Sequence, residues 1–220
     1  MKALITGASG GIGAAIVKKF LGSGCEVVGI DVMPPVVTDK NYKHIVADVT
    51  KELPDVSGVN FIVTAAGIQS KGLDAIDVNL KGVIRTVEKY AFTKSIRAVV
   101  NVASASARTG SEFAAYAASK GGVVTYTKNV ALRLAPYGAT ANSLSPGGVM
   151  TRSNDPVIQD EKLFREALGE SLLGRWAEPE EIAEWAYFLA AVNKSMTGED
   201  VLVDNGELLK SNFIWPKQAK

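Results

Sequence analysis

Lys2-Ala-Leu-Ile-Thr-Gly7-Ala-Ser-Gly-Gly-Ile-Gly13 opens the chain, and the residues that follow to Ile30 complete the unit that decides the fold. The apolar run 2–6 reads as a short strand bounded by glycine. Ala14 to Leu21 reads as an apolar helix, Gly22-Ser-Gly24 breaks it, and 26–30 reads as a second strand. In a strand, glycine-rich turn, helix, strand context, glycines let the backbone approach a pyrophosphate. The helix N-terminus adds unpaired N–H groups and the positive end of its dipole. The plain alternative is an ordinary glycine-rich turn.

Working outward, apolar runs at 44–47, 59–65, 97–103, 139–144 and 200–203 continue the strand pattern. Several lack polar alternation, as expected of parallel strands covered on both faces. Helices are expected near 11–21, 74–90, 112–134 and 179–192, with a shorter one around 160–169. Pro179 opens its helix where a missing N–H costs nothing. The expectation is an α/β, single-domain, Rossmann-type doubly wound fold over residues 1–220. Its sheet has seven mostly parallel strands with helices on both faces, and ligands bind at the strand C-terminal ends near the order reversal. The stretches 48–64 and 67–79 are short for crossovers that carry their own helices. The helix after the third strand is therefore expected to shrink to a turn around Leu53-Pro54, leaving that face of the sheet thin or covered by a partner subunit.

Composition narrows the class. Lys and Arg total 24 against 23 Asp and Glu, for a net charge of +1, so the clustered basic surface of a nucleic-acid binder is not expected. The one cysteine, Cys25, rules out an intrachain disulfide, permits a reducing compartment and reads as a buried filler. No run approaches the ~18 apolar residues of a membrane helix. The first strand begins at residue 2, leaving no room for a signal peptide, and a cytoplasmic location is expected. His44 has no Cys or His partners, so no metal site is expected. Trp176, Trp185 and Trp215 read as packing anchors.

Tyr116-Ala-Ala-Ser-Lys120 carries the chemistry. Positions four apart share a helix face. A free phenol, with a pKa of about 10, is a poor base at neutral pH, and an adjacent ammonium favours the phenolate. Alone, a Tyr and a Lys at this spacing arise often by chance, with a solvated Lys as the plain reading.

Taken in order, Thr6-Gly7-x-x-x-Gly11-x-Gly13, Asn79 within Val-Asn-Leu-Lys-Gly, Tyr116-x-x-x-Lys120 and Pro146-Gly147 resemble the short-chain dehydrogenase/reductase family. Gly174-Arg-Trp-Ala-Glu-Pro-Glu-Glu-Ile-Ala183 and Thr197-Gly-Glu-Asp-Val-Leu-Val-Asp-Asn-Gly206 are similar to the family's C-terminal segments, so the resemblance runs from Leu4 to Gly206. It implies an oxidoreductase that interconverts a secondary alcohol and a ketone with NAD(P)(H). Tyr116 would be the acid or base, Lys120 would lower its pKa and bond the nicotinamide ribose, and a serine would hold the substrate oxygen. Ser104 and Ser106 both follow the fifth strand. Aligning Asn101-Val-Ala-Ser104 with the family's strand-end motif selects Ser104, with a one-residue loop deletion before Tyr116. Asn79 would act through its backbone carbonyl and a water, or be an amide satisfied in a helix kink.

For the cofactor, the resemblance implicates Gly7, Ser9, Gly10, Gly11, Ile12 and Gly13, then Asp31 and Val32, Asp48 and Val49, Ala65, Ala66 and Gly67. Tyr116 and Lys120 join them, with Pro146, Gly147, Val149 and Thr151 near the nicotinamide. Asp31 at the end of the second strand can accept both hydrogen bonds of a ribose diol and would repel a 2′-phosphate, which favours NAD (NADH) over NADP. As an alternative, Asp31 is a strand-terminal turn residue. Position 10 is Gly where relatives taking the phosphorylated cofactor often carry Arg or Lys. Where the family usually has Asn, this chain has Thr64 or Ala65. Thr64 keeps one hydrogen bond and Ala65 none.

Residues 152–175 read as a substrate lid. The small-residue helix around Ala114–Gly122 and the helix bearing Asn79 form a subunit interface in the family, which implies a homotetramer or homodimer. Two further readings are a 3-oxoacyl-carrier-protein reductase-like enzyme using NADPH, which Asp31 argues against, and a non-catalytic NAD(H)-binding regulatory protein. The intact Asn79, Ser104, Tyr116 and Lys120 set argues against the latter.

Overall fold

Successive side chains of a strand face opposite ways, and that rule sorts the apolar runs of this chain into two cores. The computed structural model describes residues 1–111 and 113–210. In it, β1 (Lys2–Thr6) sends Ala3 and Ile5 to one core and Leu4 to the other, all fully buried. It pairs within one sheet with β2 (Glu26–Asp31), β3 (Tyr42–Val46), β4 (Phe61–Thr64), β5 (Ala98–Val102), β6 (Thr140–Pro146) and β7 (Asp200–Val203). The order is β3-β2-β1-β4-β5-β6-β7 and every pairing is parallel. The chain winds outward from β1 to β3, then returns to β4 and winds the other way. That reversal between β1 and β4 is where a doubly wound sheet opens a crevice.

The helices are α1 (Gly11–Gly22), α2 (Gly82–Tyr90), α3 (Ser106–Thr109), α4 (Ala114–Leu134), α5 (Asp155–Ile158), α6 (Glu161–Gly169) and α7 (Pro179–Tyr187). α1 and α7 cover the core holding Ala3 and Ile5, contributing Ile16, Val17 and Phe20 from α1 and Ile182, Ala183 and Ala186 from α7. Phe20 meets Phe61 and Tyr187 edge-on, with ring centroids 6.0 and 5.2 Å apart. α2 and α4 cover the opposite core through Val83, Val87, Tyr90, Val123, Val130 and Leu134.

The crossover from β3 to β4 lacks a helix, as its shortness implies, but the turn is not at Leu53-Pro54. It lies at Asp48–Lys51, where Asp48 accepts from the Thr50 N–H through its side chain (2.8 Å) and from the Lys51 N–H through its carbonyl (2.9 Å). An Asp favours such a turn because its own carboxylate closes it. Leu53 is instead a packing residue, buried with Val49 and Val59 under the sheet. Pro54 offers its carbonyl to Tyr90 Oη, and Leu53 offers its own to Lys89 Nζ at 2.7 Å. The connection between β2 and β3 is also helix-free, leaving Val32, Met33 and Val36 exposed.

The helical run expected at 74–90 is wound in two ways. Ile76–Lys81 is π-helical, with the Gly82 N–H reaching back to the Asp77 carbonyl, and α2 continues from it. The run expected at 179–192 likewise passes from α7 into a π-helical Phe188–Val192. α4 starts at Ala114. Glu112, the expected first residue of that helix, and Trp215 lie outside the described residues.

Candidate active site

The C-terminal ends of β1, β2, β4, β5 and β6 bring the singled-out residues to one edge of the sheet. After β1, Gly7 takes φ +70°, and a Cβ there would stand 2.5 Å from the Ala65 and Ala66 backbone. A Cβ on Gly13 would stand 1.9 Å from the Gly7 carbonyl oxygen. Only glycine fits either position, so the loop folds tightly onto α1. Among the described residues no side chain caps the α1 N-terminus, and its first-turn N–H groups lie beyond the intrahelical ladder. Gly10 is the cap residue and donates to the Gly7 carbonyl at 3.0 Å. Ile12 packs against the α1–α7 core.

Asp31 ends β2 beside this loop. Its two oxygens accept from the Ser9 N–H and the Met33 N–H, each at 2.9 Å, and Ser9 Oγ donates to the Pro34 carbonyl at 2.7 Å. Val32 is exposed next to it. After β3, the Thr50 backbone and hydroxyl hold the Asp48 carboxyl below its ordinary range. Val49 turns its side chain into the core against Gly82. After β4, Ala65 and Ala66 donate to the Thr6 carbonyl (3.1 Å) and hydroxyl (3.4 Å). The departure at Thr64 is resolved by β5. Thr64 Oγ1 donates to Asn101 Oδ1 (2.8 Å), Asn101 Nδ2 donates to Thr127 Oγ1 (2.9 Å), and Thr127 donates to the Val123 carbonyl (2.8 Å). All three side chains are buried and paired, so the two central strands stay tied to α4.

Tyr116 and Lys120 stand on one face of α4, with Lys120 Nζ 5.7 Å from the Tyr116 ring centroid. Both are buried, and Nζ donates to the Val102 carbonyl at the end of β5 at 2.9 Å. Burial pushes the Lys120 ammonium down to about 8. A Cβ on Gly67 would lie 3.5 Å from that Nζ and 3.2 Å from Asn79 Oδ1, so Asn79, Gly67 and Lys120 adjoin one another. The Asn79 amide is fully engaged. Oδ1 accepts from the Ile68 N–H (2.8 Å), and Nδ2 donates to the Ile68 carbonyl (2.9 Å) and Ser119 Oγ (3.1 Å). Ser119 in turn donates to the Tyr116 carbonyl at 2.6 Å.

Ser104 and Ser106 are neighbours and both buried. Ser104 Oγ accepts from the Ser106 N–H (3.2 Å) and the Ser106 hydroxyl (3.0 Å). The Ser106 proton is thus committed to Ser104, whose own proton is left to be donated elsewhere. After β6, Gly147 donates to the Val203 carbonyl (3.0 Å) and Gly148 to Glu207 Oε1 (2.9 Å). Val149 is buried, and its carbonyl accepts from Asn154 Nδ2 and the Thr151 N–H, each at 2.8 Å. The Thr151 hydroxyl pairs with Ser153, and a Cβ on Gly11 would touch Thr151 Cγ2 at 2.7 Å. The loop after β6 therefore abuts the glycine loop after β1.

Residues 152–175 carry α5 and α6. Phe164 of α6 packs edge-on against Trp176, centroids 5.3 Å apart, and Trp176 packs on Gly148. Gln69 Nε2 reaches Asn154 Oδ1 at 3.2 Å across from the loop after β4. Sequence reasoning missed Ser119, Glu207 and Gln69. Ser119 had a signal in its place between Tyr116 and Lys120, whereas Glu207 and Gln69 belong to no motif.

The family model described as enoyl-(acyl carrier protein) reductase matches residues 35–207. A 3-oxoacyl-[acyl-carrier-protein] reductase of Thermotoga maritima is 30% identical over 92% of this chain and 96% of its own length. An NAD-dependent glycerol dehydrogenase of Listeria innocua is 28% identical over 94% of each. Among solved structures, ligand-free aldohexose dehydrogenase of Thermoplasma acidophilum superposes with a TM-score of 0.87 at 27% identity, covering 98% of this chain and 97% of that one.

Proposed function

Given that the chain belongs to the short-chain dehydrogenase/reductase family of oxidoreductases, we propose that it interconverts a secondary alcohol and a ketone with NAD(H), Tyr116 serving as acid and base. The observation that carries this reading is Lys120. An ammonium withdrawn from water, fixed by the Val102 carbonyl and set against the Tyr116 ring, is costly to keep unless its charge is used. Beside a phenol it favours the phenolate.

The residues fit a dinucleotide. The loop at Gly7, Ser9, Gly10, Gly11, Ile12 and Gly13 is too tight for any Cβ at its two ends and leads into a helix N-terminus that no described side chain caps, which suits a pyrophosphate. Each Asp31 oxygen accepts one N–H and keeps a lone pair for a ribose hydroxyl. Asp48, Val49, Ala65, Ala66 and Gly67 would border the adenosine and the centre of the cofactor. Pro146, Gly147, Val149 and Thr151 would flank its nicotinamide. When bound, the nicotinamide supplies or accepts the hydride.

In reduction, Tyr116 gives its proton to the carbonyl oxygen, while the Ser104 hydroxyl holds that oxygen and Ser106 holds Ser104. In oxidation the phenolate takes the alcohol proton. Lys120 would stabilise the phenolate and bond the cofactor's ribose. Asn79, whose amide is spent on Ile68 and Ser119 in a π-wound turn, would contribute its main-chain carbonyl to a water that leads protons toward Lys120. General acid–base help of this kind contributes about 10²–10⁴ in rate. Residues 152–175 act as the lid of a one-domain enzyme, and we read the protein as a cytoplasmic homotetramer or homodimer. No helix among the described residues is long and apolar enough to cross a membrane, and the exposed Leu132 of α4 is apolar surface that a second subunit would cover.

The test is titration with NADH and NADPH by fluorescence, in parallel with Asp31→Ala. The reading expects much tighter NADH binding and loss of that preference in the variant. Removing two charge-assisted acceptors should weaken NADH about ten- to a hundredfold. Tighter NADPH binding would overturn the cofactor assignment and promote the acyl-carrier-protein reductase reading, which similarity to the Thermotoga protein favours.

A further inference from the structure

Arg108 lies in α3, the single turn that follows Ser104, and its guanidinium leaves that turn to meet β7. Nε donates to Asp200 Oδ2 at 2.9 Å and Nη2 to the Asp200 carbonyl at 2.6 Å. The other carboxylate oxygen, Oδ1, accepts from Ser143 Oγ at 2.8 Å and Ser145 Oγ at 2.6 Å, both on β6. The β6–β7 register sets Ser143 opposite Asp200. The Asp200 side chain is only 9% exposed, so its charge depends on these donors.

Each partner belongs to a segment that ends in the site. Ser145 immediately precedes Pro146-Gly147, and Arg108 lies between Ser104 and the start of α4. The backbone rungs that extend β5 toward β6 run only as far as the Ala105 N–H, which donates to the Pro146 carbonyl at 2.8 Å. Beyond that rung the chain turns away as α3, and Arg108 ties the turn back to the sheet. A planar guanidinium with two donors engaged fixes direction as well as distance, which a single ammonium does not.

We propose that Arg108 is a positioning residue. Through Asp200 it locks α3, and with it the Ser104–Ser106 hydroxyl pair, against the end of β6 that carries Pro146 to Thr151. The catalytic part of this inference rests on the oxidoreductase reading above. The geometric part does not.

The experiment compares wild type with Arg108→Ala, Arg108→Lys and Asp200→Asn in the full chain. It measures NADH affinity, kcat and KM on an alcohol the wild type oxidises, and amide hydrogen exchange over Ser104–Ser111. Arg108→Ala should lower kcat by ~10- to 100-fold, the scale of a small misplacement of reacting groups. NADH affinity should stay as in wild type and KM should change less than kcat. Arg108→Lys should fall between the two, and added methylguanidinium should restore part of the kcat of Arg108→Ala. Exchange should speed up over Ser104–Thr109 while α4 keeps its protection. Wild-type kcat in a folded Arg108→Ala, or unchanged exchange, would overturn the proposal. So would a loss of kcat accompanied by equal loss of NADH binding, which marks a merely structural role. Asp200→Asn keeps the side-chain size and decides the matter if Arg108→Ala does not fold. If wild type turns over no alcohol or ketone, the oxidoreductase reading fails, and the exchange comparison still decides the clamp.

Discussion

Replacing Lys120 by Met should make the protein more stable near neutral pH while removing its activity. The ammonium is wholly buried, and burial lowers its pKa from 10.5 to about 8. A displacement of that size corresponds to about 3 kcal/mol of penalty on the charged form in the fold. Because the folded pKa lies below the unfolded one, the penalty is fully present below pH 8 and fades as pH rises from 8 toward 10.5. Met fills similar space without charge, but it orphans the Val102 carbonyl that Lys120 now bonds, a loss of about 1–2 kcal/mol. The net expectation is that Lys120→Met gains roughly 1–2 kcal/mol at pH 7. That advantage should shrink, and then reverse, as pH approaches 10. Urea unfolding of both proteins at several pH values between 7 and 10 measures the difference. Titration of tyrosines common to both cancels, and repeating the pair in a Tyr116→Phe background removes the coupled phenol. A stability difference that does not change with pH, or a variant less stable than wild type at pH 7, would refute the reasoning.

Two further outcomes follow from the packing. Gly13→Ala puts a Cβ 1.9 Å from the Gly7 carbonyl oxygen and forces the loop to move by more than an ångström. NADH affinity should drop at least about tenfold, with a destabilisation of about 1–3 kcal/mol, both read by titration and melting. Thr64→Val removes the donor to buried Asn101 and should cost about 1–3 kcal/mol in urea unfolding with NADH affinity unchanged.

What the sequence made legible is what local rules govern. Continuous apolar runs mark strands covered on both faces, the glycine loop follows from its strand-turn-helix context, and the Tyr116–Lys120 spacing follows from the helical period; together they bring the candidate site residues to one sheet edge. The turn after β3 escaped because Asp48 closes a turn with its own carboxylate while Leu53-Pro54 looks like the natural break. The π winding at Ile76–Lys81 escaped because it serves Asn79, whose partners Ile68 and Ser119 lie in other elements. The compensation for Thr64 needed the β4–β5 register, which brings Asn101 alongside it. Arg108 with Asp200, and Gly148 with Glu207, are likewise pairs made by strand order and register. No spacing rule along the chain announces them.

The central claim is that Tyr116 moves the proton while a bound nicotinamide exchanges the hydride. The most direct measurement is kcat of wild type and Tyr116→Phe on a panel of secondary alcohols at NAD concentrations where the rate no longer rises, with cofactor affinity read separately by titration of NADH fluorescence. The account predicts NAD-dependent oxidation by wild type and a loss of about a hundredfold or more in the variant at unchanged cofactor affinity. Turnover that survives the removal of the phenol, or a wild type that binds NADH and oxidises no alcohol, would contradict it.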